Sequence, residues 1–188
     1  MVAKSEERKM PIERPDNPRV LIPKEQVEAR VKELAKEIEE VYRGKDLTAI
    51  CVLRGSFVFF SDLIRHVDIP MSCEFVSLAS YGNRMQSSGE VKISLDLTGP
   101  VTGKHLLVVE DIVDTGNTLH FLLQTLRARN PASIRVCSLL VKPHSIQYPV
   151  TADFFGFQVG DEFVVGYGID HADKYRGLSY IGAVERPL

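Results

Sequence analysis

The chain of 188 residues has the length of one ordinary domain with a core of its own. Hydrophobic residues make up 44% of it and charged residues 26%, which excludes a chain that is mainly disordered. The formal net charge of -2 argues against a general nucleic-acid binder, because such proteins are usually strongly basic. No apolar stretch is long enough for a membrane span, and residues 1–10 lack the apolar core of a secretion signal. We therefore expect a single cytoplasmic domain over residues 1–188.

The N-terminal part of the chain predicts an extended lead-in and then a packing helix. Residues 1–19 are rich in charges and prolines, and we assign no chemistry to them. From Lys24 to Arg43 apolar residues recur at spacings of three and four, which is the pattern of an amphipathic helix. Gly44 follows as a C-terminal cap. The charges on the other face of this helix indicate a solvated surface and not a binding patch.

The three cysteines predict reduced thiols in the core. Cys51, Cys73 and Cys137 each lie in an apolar stretch, with no Cys-x-x-Cys pair and no histidine at the spacing of a metal site. Their odd number, in a chain without a secretion signal, agrees with a reducing compartment.

The first site-like feature stands between a strand and a helix. The apolar run Leu47–Leu53 predicts a buried strand, and Arg54, Gly55 and Ser56 follow at its end. The next apolar residues have helical spacing, at Phe57, Phe60, Leu63 and Ile64. A glycine beside a cation at a strand end suits an anion such as pyrophosphate. An ordinary surface cation stays open as the alternative for Arg54.

A long polar loop follows the next predicted strand. Phe75–Leu78 predicts the strand, and residues 79–89 are rich in Gly, Ser and Asn without any periodicity. Such a loop inside a compact domain is typical of a lid or a binding loop. A disordered hairpin tip is the alternative, and composition does not separate the two.

The strongest signal is the segment from Leu106 to Thr118. Leu106–Val109 lacks polar alternation, as in a parallel strand buried on both faces, and three carboxylates follow, Glu110, Asp111 and Asp114. The turn 114–118 precedes apolar residues at helical spacing, at Leu119, Phe121, Leu122, Leu123 and Leu126. Free N–H groups at a helix start, two threonine hydroxyls and a glycine suit a phosphate. The carboxylates suit Mg²⁺ or sugar hydroxyls, although helix capping alone could explain one of them.

Further groups follow strands in the C-terminal third. The run Ile134–Val141 ends at Lys142, and Pro149–Val159 predicts another strand. Lys142 could read a ligand or simply reach solvent. The segment 163–170 contains Gly-Tyr-Gly without the third glycine or the helix of a dinucleotide-binding motif. Phe163 within it could equally be a core aromatic.

These positions predict an α/β fold. Four apolar runs end in groups that suggest a site: Arg54-Gly55, Glu110-Asp111, Lys142 and Asp170. Ligands of open α/β sheets bind outside the carboxyl ends of the strands. We therefore expect a mainly parallel central sheet flanked by helices. A small hood is expected from roughly residues 143–188, and a contribution of the lead-in to it is left open.

The segment Val108–Thr118, with its acidic pair followed by Ile-Val-Asp-Thr-Gly, resembles the phosphoribosyl-diphosphate (PRPP) binding motif of type I phosphoribosyltransferases. Among these enzymes it is most similar to the hypoxanthine-guanine branch, and the resemblance extends over roughly residues 20–182. It implies purine salvage with Mg²⁺, in which PRPP donates a phosphoribosyl group to N9 of hypoxanthine or guanine. It also implies a homo-oligomer, dimer or tetramer.

The resemblance assigns a role to each matching residue. In the PRPP site, Glu110 and Asp111 match residues at the ribose and the metal, and Asp170 matches a second metal site. The 5'-phosphate is bound by the turn Asp114, Thr115, Gly116, Asn117 and Thr118. The pyrophosphate is bound by Arg54, Gly55 and Arg176. For the purine the matching residues are Asp114 as general base, Lys142 at the 6-oxo group, and Phe163 and Val164 in the hood. Ser80 and Tyr81 match a catalytic lid. The family also has a cis peptide, expected here between Arg54 and Gly55.

Two other functions compete with this interpretation. One is a phosphoribosyltransferase-like RNA-binding regulator, which the near-neutral charge disfavours. The other is a phosphatase of the haloacid dehalogenase type, suggested by Asp111 and Asp114 after a strand. That chemistry requires one residue between its two aspartates, and here two intervene.

Overall fold

The computed structural model describes residues 18–80 and 91–184. Along the chain its elements are β1 (Arg19–Ile22), α1 (Lys24–Tyr42), β2 (Leu47–Leu53), α2 (Phe57–His66), β3 (Met71–Ser80), β4 (Val91–Leu95), β5 (His105–Val113), α3 (Asn117–Arg127), β6 (Ser133–Val141), a short 3-10 helix (Pro143–Ser145), β7 (Phe154–Gln158), β8 (Phe163–Val165) and β9 (Ile181–Val184). The predicted lid residue Tyr81 lies outside the described residues, as do residues 1–17 of the lead-in.

The main sheet has six strands in the order β4-β3-β2-β5-β6-β7. All neighbours are parallel except β4, which is antiparallel to β3. Val109 of β5 lies opposite Cys51 of β2 on one side and Cys137 of β6 on the other. Since these three strands run in the same direction, their carboxyl ends meet at one edge. The predicted α/β class with a mainly parallel sheet is confirmed.

Helices cover both faces of this sheet. α1 and α2 pack on one face, where Leu34 and Phe59 share a core with Leu107. α3 packs on the other face, where Leu122 joins Leu106. Successive residues of β5 therefore enter different cores, as strand geometry requires. None of the helices within the described ranges is long and apolar enough to cross a bilayer.

A small antiparallel sheet, in the order β1-β9-β8, lies beside the main one. This sheet and residues 166–180, which connect β8 to β9, are called the hood below. Its residues Val164 and Ile181 are buried in the core that α1 and α2 share with the main sheet. The N-terminal strand β1 belongs to this small sheet, and of the predicted lead-in only Arg19 lies within that strand. The segment 143–184, within the range expected to contribute to the hood, divides between the two sheets because β7 extends the main one.

The outer strands differ most from the sequence-based expectations. The strand predicted at Phe75–Leu78 extends from Met71 to Ser80, and its antiparallel neighbour β4 was not predicted. β3 is next to the edge strand and partly exposed, so its first half carries polar residues in place of an apolar run. Of the strand expected at Pro149–Val159, only Phe154–Gln158 forms it.

Two residues expected in the core are exposed. Phe57, at the start of α2, is 45% exposed to solvent, whereas Phe59 of the same helix is buried. Cys73 is also exposed, while Cys51 and Cys137 are buried and all three are free thiols. Helical spacing alone placed Phe57 on the stripe of Phe60, but the buried stripe of this short helix is centred on Phe59.

The turn before α3 depends on the absence of a side chain at Gly116. Gly116 has a φ of 85°, in the left-handed region, and it immediately precedes the first helical residue. A Cβ at this position would lie 2.5 Å from Cγ2 of Val150, which is buried. The glycine is thus required by its backbone conformation and by packing against the segment that follows β6.

Gly116→Ala should destabilise the protein by about 2–4 kcal/mol, because it combines a left-handed alanine with a collision against Val150. Gly44→Ala is the matched control: Gly44 has a φ of 75° but no atom within 4 Å of an added Cβ. The control should lose only about 1–2 kcal/mol. Urea unfolding of both variants measures the difference, and equal losses would show that Val150 moves aside freely.

Candidate active site

The predicted site residues converge at the carboxyl edge of the main sheet. Arg54 directly follows β2, Asp111 and Asp114 stand at the end of β5, and Lys142 directly follows β6. β5 lies between β2 and β6, so these groups come from three adjacent strands. This is the edge at which parallel α/β sheets bind ligands.

The turn 114–118 forms a small cavity at the start of α3. The cavity has a volume of about 100 Å³, and its lining includes Glu110 and every residue from Asp114 to Leu119. The first backbone N–H groups of α3 point to its N-terminal end, where the helix dipole favours an anion. The predicted helix start is therefore confirmed, although Gly116 and not Asp or Thr occupies the capping position.

A segment after β6 braces this turn from outside. The carbonyl of Thr115 accepts hydrogen bonds from the N–H groups of Gln147, at 2.9 Å, and Tyr148, at 3.3 Å. The Lys142 N–H donates to the carbonyl of Val113 at 2.9 Å. The phosphate-type turn and the residues that follow Lys142 are thus joined through backbone groups.

The acidic pair lies inside β5 and not after its end, because the strand continues to Val113. Glu110 is 7% exposed and lines the cavity of the turn. Burial raises its pKa well above the ordinary value, and Asp111 raises it further. Burial also raises the pKa of Asp111, to about 6. The Ile112 N–H, which donates to Oδ1 of Asp111 at 2.8 Å, lowers this pKa but does not cancel the effect of burial. Both carboxylates are therefore held where their charge is costly without a cation.

Two glycines bring three chain segments into close contact. A Cβ on Gly55 would lie 1.6 Å from Oδ2 of Asp111, so a side chain at this position would displace the Asp111 carboxylate. Gly168, with a φ of 104°, lies against Gly55 so closely that a Cβ would be 2.2 Å from the Gly55 carbonyl oxygen. The loop after β2, the acidic pair and the turn after β8 therefore meet at one point. The cis peptide joins Leu53 to Arg54, one bond earlier than expected.

The side chains of the two predicted pyrophosphate-binding arginines differ in how firmly neighbouring residues hold them. Arg54 is 74% exposed, with its Nη2 3.6 Å from Oδ1 of Asp173. Arg176 is 22% exposed, and its Nη2 lies 2.6 Å from Oδ1 of Asp170. Its Nη1 also donates to the Gly168 carbonyl at 2.8 Å. Arg176 is thus held in place before any ligand binds, whereas the Arg54 side chain can adapt.

Asp173 is a site residue that the sequence reasoning missed. Its Oδ1 lies 3.6 Å from Arg54 and 3.9 Å from Arg176, between the two guanidinium groups. Its N–H donates to Oδ2 of Asp170 at 2.8 Å. In the sequence, Asp173 lies three residues from both Asp170 and Arg176, and this spacing was the feature that could have identified it.

Lys142 and Asp114 form an ion pair at the mouth of the site. Lys142 is 8% exposed, and its Nζ lies 3.8 Å from Oδ2 of Asp114. At this distance the two groups attract each other without a hydrogen bond. The Asp114 side chain is 51% exposed, so it is accessible to a ligand. The solvent-reaching alternative for Lys142 does not hold, because the residue is buried.

The hood contributes an aromatic face. Phe163 is 39% exposed and meets the ring of His171 edge-on, with 4.8 Å between the ring centroids. Phe163 is therefore not a core residue, while its neighbour Val164 is buried. Ser80 ends β3, directly before the part of the predicted lid that lies outside the described residues.

A family model for the phosphoribosyl transferase domain matches residues 22–172. The chain belongs to this family. A hypoxanthine phosphoribosyltransferase of Haemophilus influenzae is 45% identical to this phosphoribosyltransferase over 168 residues, which cover 88% of this chain and 94% of that protein. A hypoxanthine-guanine phosphoribosyltransferase of Bacillus subtilis is 45% identical over 170 residues, covering 90% and 94%.

A solved structure of similar shape is the hypoxanthine-guanine phosphoribosyltransferase of Bacillus anthracis with HEPES in its active site. It aligns with a TM-score of 0.84 and 46% identity, over 88% of this chain and 98% of that chain. The predicted resemblance to the hypoxanthine-guanine branch of type I phosphoribosyltransferases is thereby confirmed. Neither the RNA-binding regulator nor the phosphatase is favoured by these similarities.

Asp111→Asn should stabilise the ligand-free, metal-free phosphoribosyltransferase by about 1–2 kcal/mol at about pH 8, because it removes a half-buried charge beside the buried Glu110. Folding raises the pKa of Asp111 from 3.8 to about 6, so the wild-type protein loses stability as the pH rises through this window. The gain should vanish below about pH 3, well under the ordinary pKa of 3.8, where the carboxyl is protonated in both states.

Urea unfolding at both pH values measures this effect. The matched control is Asp46→Asn, at an exposed aspartate, which should change stability little at either pH. A gain for Asp111→Asn that is the same at both pH values would point to packing and not to charge.

Proposed function

We propose that this phosphoribosyltransferase transfers the 5-phosphoribosyl group from PRPP to N9 of a 6-oxopurine, hypoxanthine or guanine. The products are the nucleoside monophosphate and pyrophosphate, as in purine salvage. The observation that carries the proposal is the pair formed by buried Lys142 and accessible Asp114 beside the phosphate-type turn. A ligand that enters this site would meet a donor, a proton acceptor and an anion site within one small volume.

The turn 114–118 holds the 5'-phosphate of PRPP in this proposal. Its N–H groups and the hydroxyls of Thr115 and Thr118 are the donors that a phosphate requires. Glu110 and Asp111 accept hydrogen bonds from the ribose hydroxyls. Both carboxylates stand on a strand of the core and not on a loop, which fixes the sugar relative to the turn.

Arg54, Arg176 and the backbone of Gly55 receive the pyrophosphate. The departure of this group leaves positive charge on the sugar, so groups that neutralise the leaving group lower the barrier. Asp173, which lies between both arginines, would be displaced by the incoming phosphates.

Mg²⁺ fits the carboxylates of this site together with ligand oxygens. Asp111 and Asp170 offer the oxygen ligands that Mg²⁺ prefers, and a cation beside Asp111 would offset the burial that raises the pKa of this carboxyl. Among residues 18–80 and 91–184, no three His, Cys, Asp or Glu side chains form a metal cluster. An ion held by one or two carboxylates and by substrate phosphates is the usual arrangement for Mg²⁺. It would supply charge neutralisation at the pyrophosphate.

The purine lies between Lys142 and the hood. Lys142 donates to the 6-oxo group, Phe163 stacks on the ring, and backbone groups at Val164 meet its edge. Asp114 accepts the N7 proton as N9 attacks the sugar. The resemblance implies a water-excluding lid that includes Ser80 and Tyr81, and Tyr81 lies outside the described residues.

Purified protein with PRPP and Mg²⁺, offered each nucleobase in turn, tests the proposed function. Pyrophosphate release should occur with hypoxanthine and guanine, and adenine should be poorer by a factor of about 10⁴. Adenine presents an amino group at C6, which leaves the buried Lys142 ammonium facing another donor. Release with none of the purines would overturn the proposal.

Lys142→Met keeps most of the buried stem and removes the charge. It should lower kcat/KM for hypoxanthine by about 10²-fold or more and change the residual rate with adenine much less. A uniform loss for both bases would remove Lys142 from purine recognition.

Asp114→Asn should lower turnover by about 10²–10⁴-fold, because asparagine cannot take up the N7 proton. Binding of PRPP, measured by calorimetry, should change little, since asparagine retains the size and most hydrogen bonds of the turn. Turnover like that of the wild-type protein would exclude Asp114 as the base.

The remaining expectations concern the whole molecule. We propose a single domain over residues 1–188, a cytoplasmic location and a homo-oligomer, either dimer or tetramer. Sedimentation equilibrium of the full chain measures the oligomeric state directly.

A further inference from the structure

Tyr167 is buried behind the site and has no role in the proposed reaction. It follows β8 in the turn Gly166-Tyr167-Gly168 and is 5% exposed. Its φ of 49° lies in the left-handed region, which costs a non-glycine residue about 1–2 kcal/mol. A bulky side chain is kept in this conformation only where its surroundings hold it there.

The hydroxyl of Tyr167 connects the hood to α2. It donates to Oδ2 of Asp62 at 2.5 Å, across 105 positions of the chain. Burial and Asp62 raise the pKa of the Tyr167 hydroxyl, so this group stays protonated and donates. Asp62 is further held by an ion pair with Arg65 of the same helix. α2 itself begins directly after the Arg54-Gly55-Ser56 loop.

The turn around Tyr167 is held on both sides. The Tyr167 N–H donates to the carbonyl of Leu178 at 2.8 Å. A Cβ on Gly166 would lie 2.1 Å from the Tyr180 carbonyl oxygen, and one on Gly168 would lie 2.2 Å from that of Gly55. The turn therefore touches the C-terminal segment on one side and the loop after β2 on the other.

Gly168 also fixes Arg176. Its N–H donates to the Arg176 carbonyl at 2.9 Å, and its carbonyl accepts from Nη1 of Arg176 at 2.8 Å. One turn thus sets the position of the Gly55 backbone and of the Arg176 guanidinium. Both belong to the pyrophosphate end of the proposed site.

We propose that Tyr167 is a positioning residue for the pyrophosphate half of the reaction, acting through its hydrogen bond to Asp62. This bond holds the turn against α2, so that Gly55 and Arg176 keep the spacing that a diphosphate requires. The inference rests on the proposed function, because it assigns a task to a residue outside the substrate contacts. Tyr167 should matter for PRPP and pyrophosphate and not for the purine.

Tyr167→Phe tests this by removing one hydroxyl and nothing else. The matched control is Tyr42→Phe: Tyr42 is also buried, and its hydroxyl donates to the Leu106 carbonyl at 3.2 Å, within the core under α1. Both variants lose one buried hydrogen bond, so their melting temperatures should fall by similar amounts. Steady-state kinetics with both substrates and calorimetry with inorganic pyrophosphate and Mg²⁺ complete the comparison.

Tyr167→Phe should raise the KM for PRPP and the Kd for pyrophosphate by about three- to tenfold, and leave the KM for hypoxanthine within about twofold. Tyr42→Phe should leave all three constants unchanged. Asp62→Ala should reproduce the effect, and the double variant Tyr167→Phe/Asp62→Ala should show no larger rise in KM than either single variant.

Two results would overturn the inference. One is a Tyr167→Phe variant whose constants match those of Tyr42→Phe. The other is an equal rise in KM for PRPP and hypoxanthine, which would indicate general loosening of the fold. A wild-type protein without turnover would instead refute the proposed function itself, so the two failures are distinct.

Discussion

The contact of Gly55 with Asp111 on one side and Gly168 on the other is the constraint on which the site depends. No side chain fits at either glycine, because an added Cβ would lie 1.6 Å from the Asp111 carboxylate or 2.2 Å from the Gly55 carbonyl oxygen. The three segments come from β2, β5 and the hood. The contact between Gly168 and Gly55 is made by backbone, which adapts less than a side chain, so it limits how the hood can lie against the sheet edge.

The close packing around the site also lowers the stability of the fold, because it places charged groups away from solvent. Glu110 and Asp111 are carboxylates whose burial raises their pKa, and Lys142 is a buried cation whose ion pair with Asp114 spans 3.8 Å. Apolar packing on both faces of the sheet offsets this cost. The arrangement suits a binding site, because charged groups that are already in position can meet a ligand with complementary charges without rearranging.

Parts of the chain with a strong local pattern were predictable. The helix from Lys24 and the strand Leu47–Leu53 follow from spacing and from an unbroken apolar run, and both form as expected. β4 was missed because an exposed edge strand has no such run. Phe57 was placed in the core by spacing, yet neighbours, and not spacing, decide which face of a short helix is covered.

By itself the sequence determined the fold class, through its apolar runs and helical stripes, and the family, through the resemblance of Val108–Thr118 to a known motif. Both are local features of the chain. Only the tertiary structure decided which charged groups meet. It placed Asp173 between Arg54 and Arg176 and joined Tyr167 to Asp62, which lies 105 positions away. It also made β1 part of the hood. Such contacts depend on how separate segments pack, and no pattern within one segment specifies its distant partner.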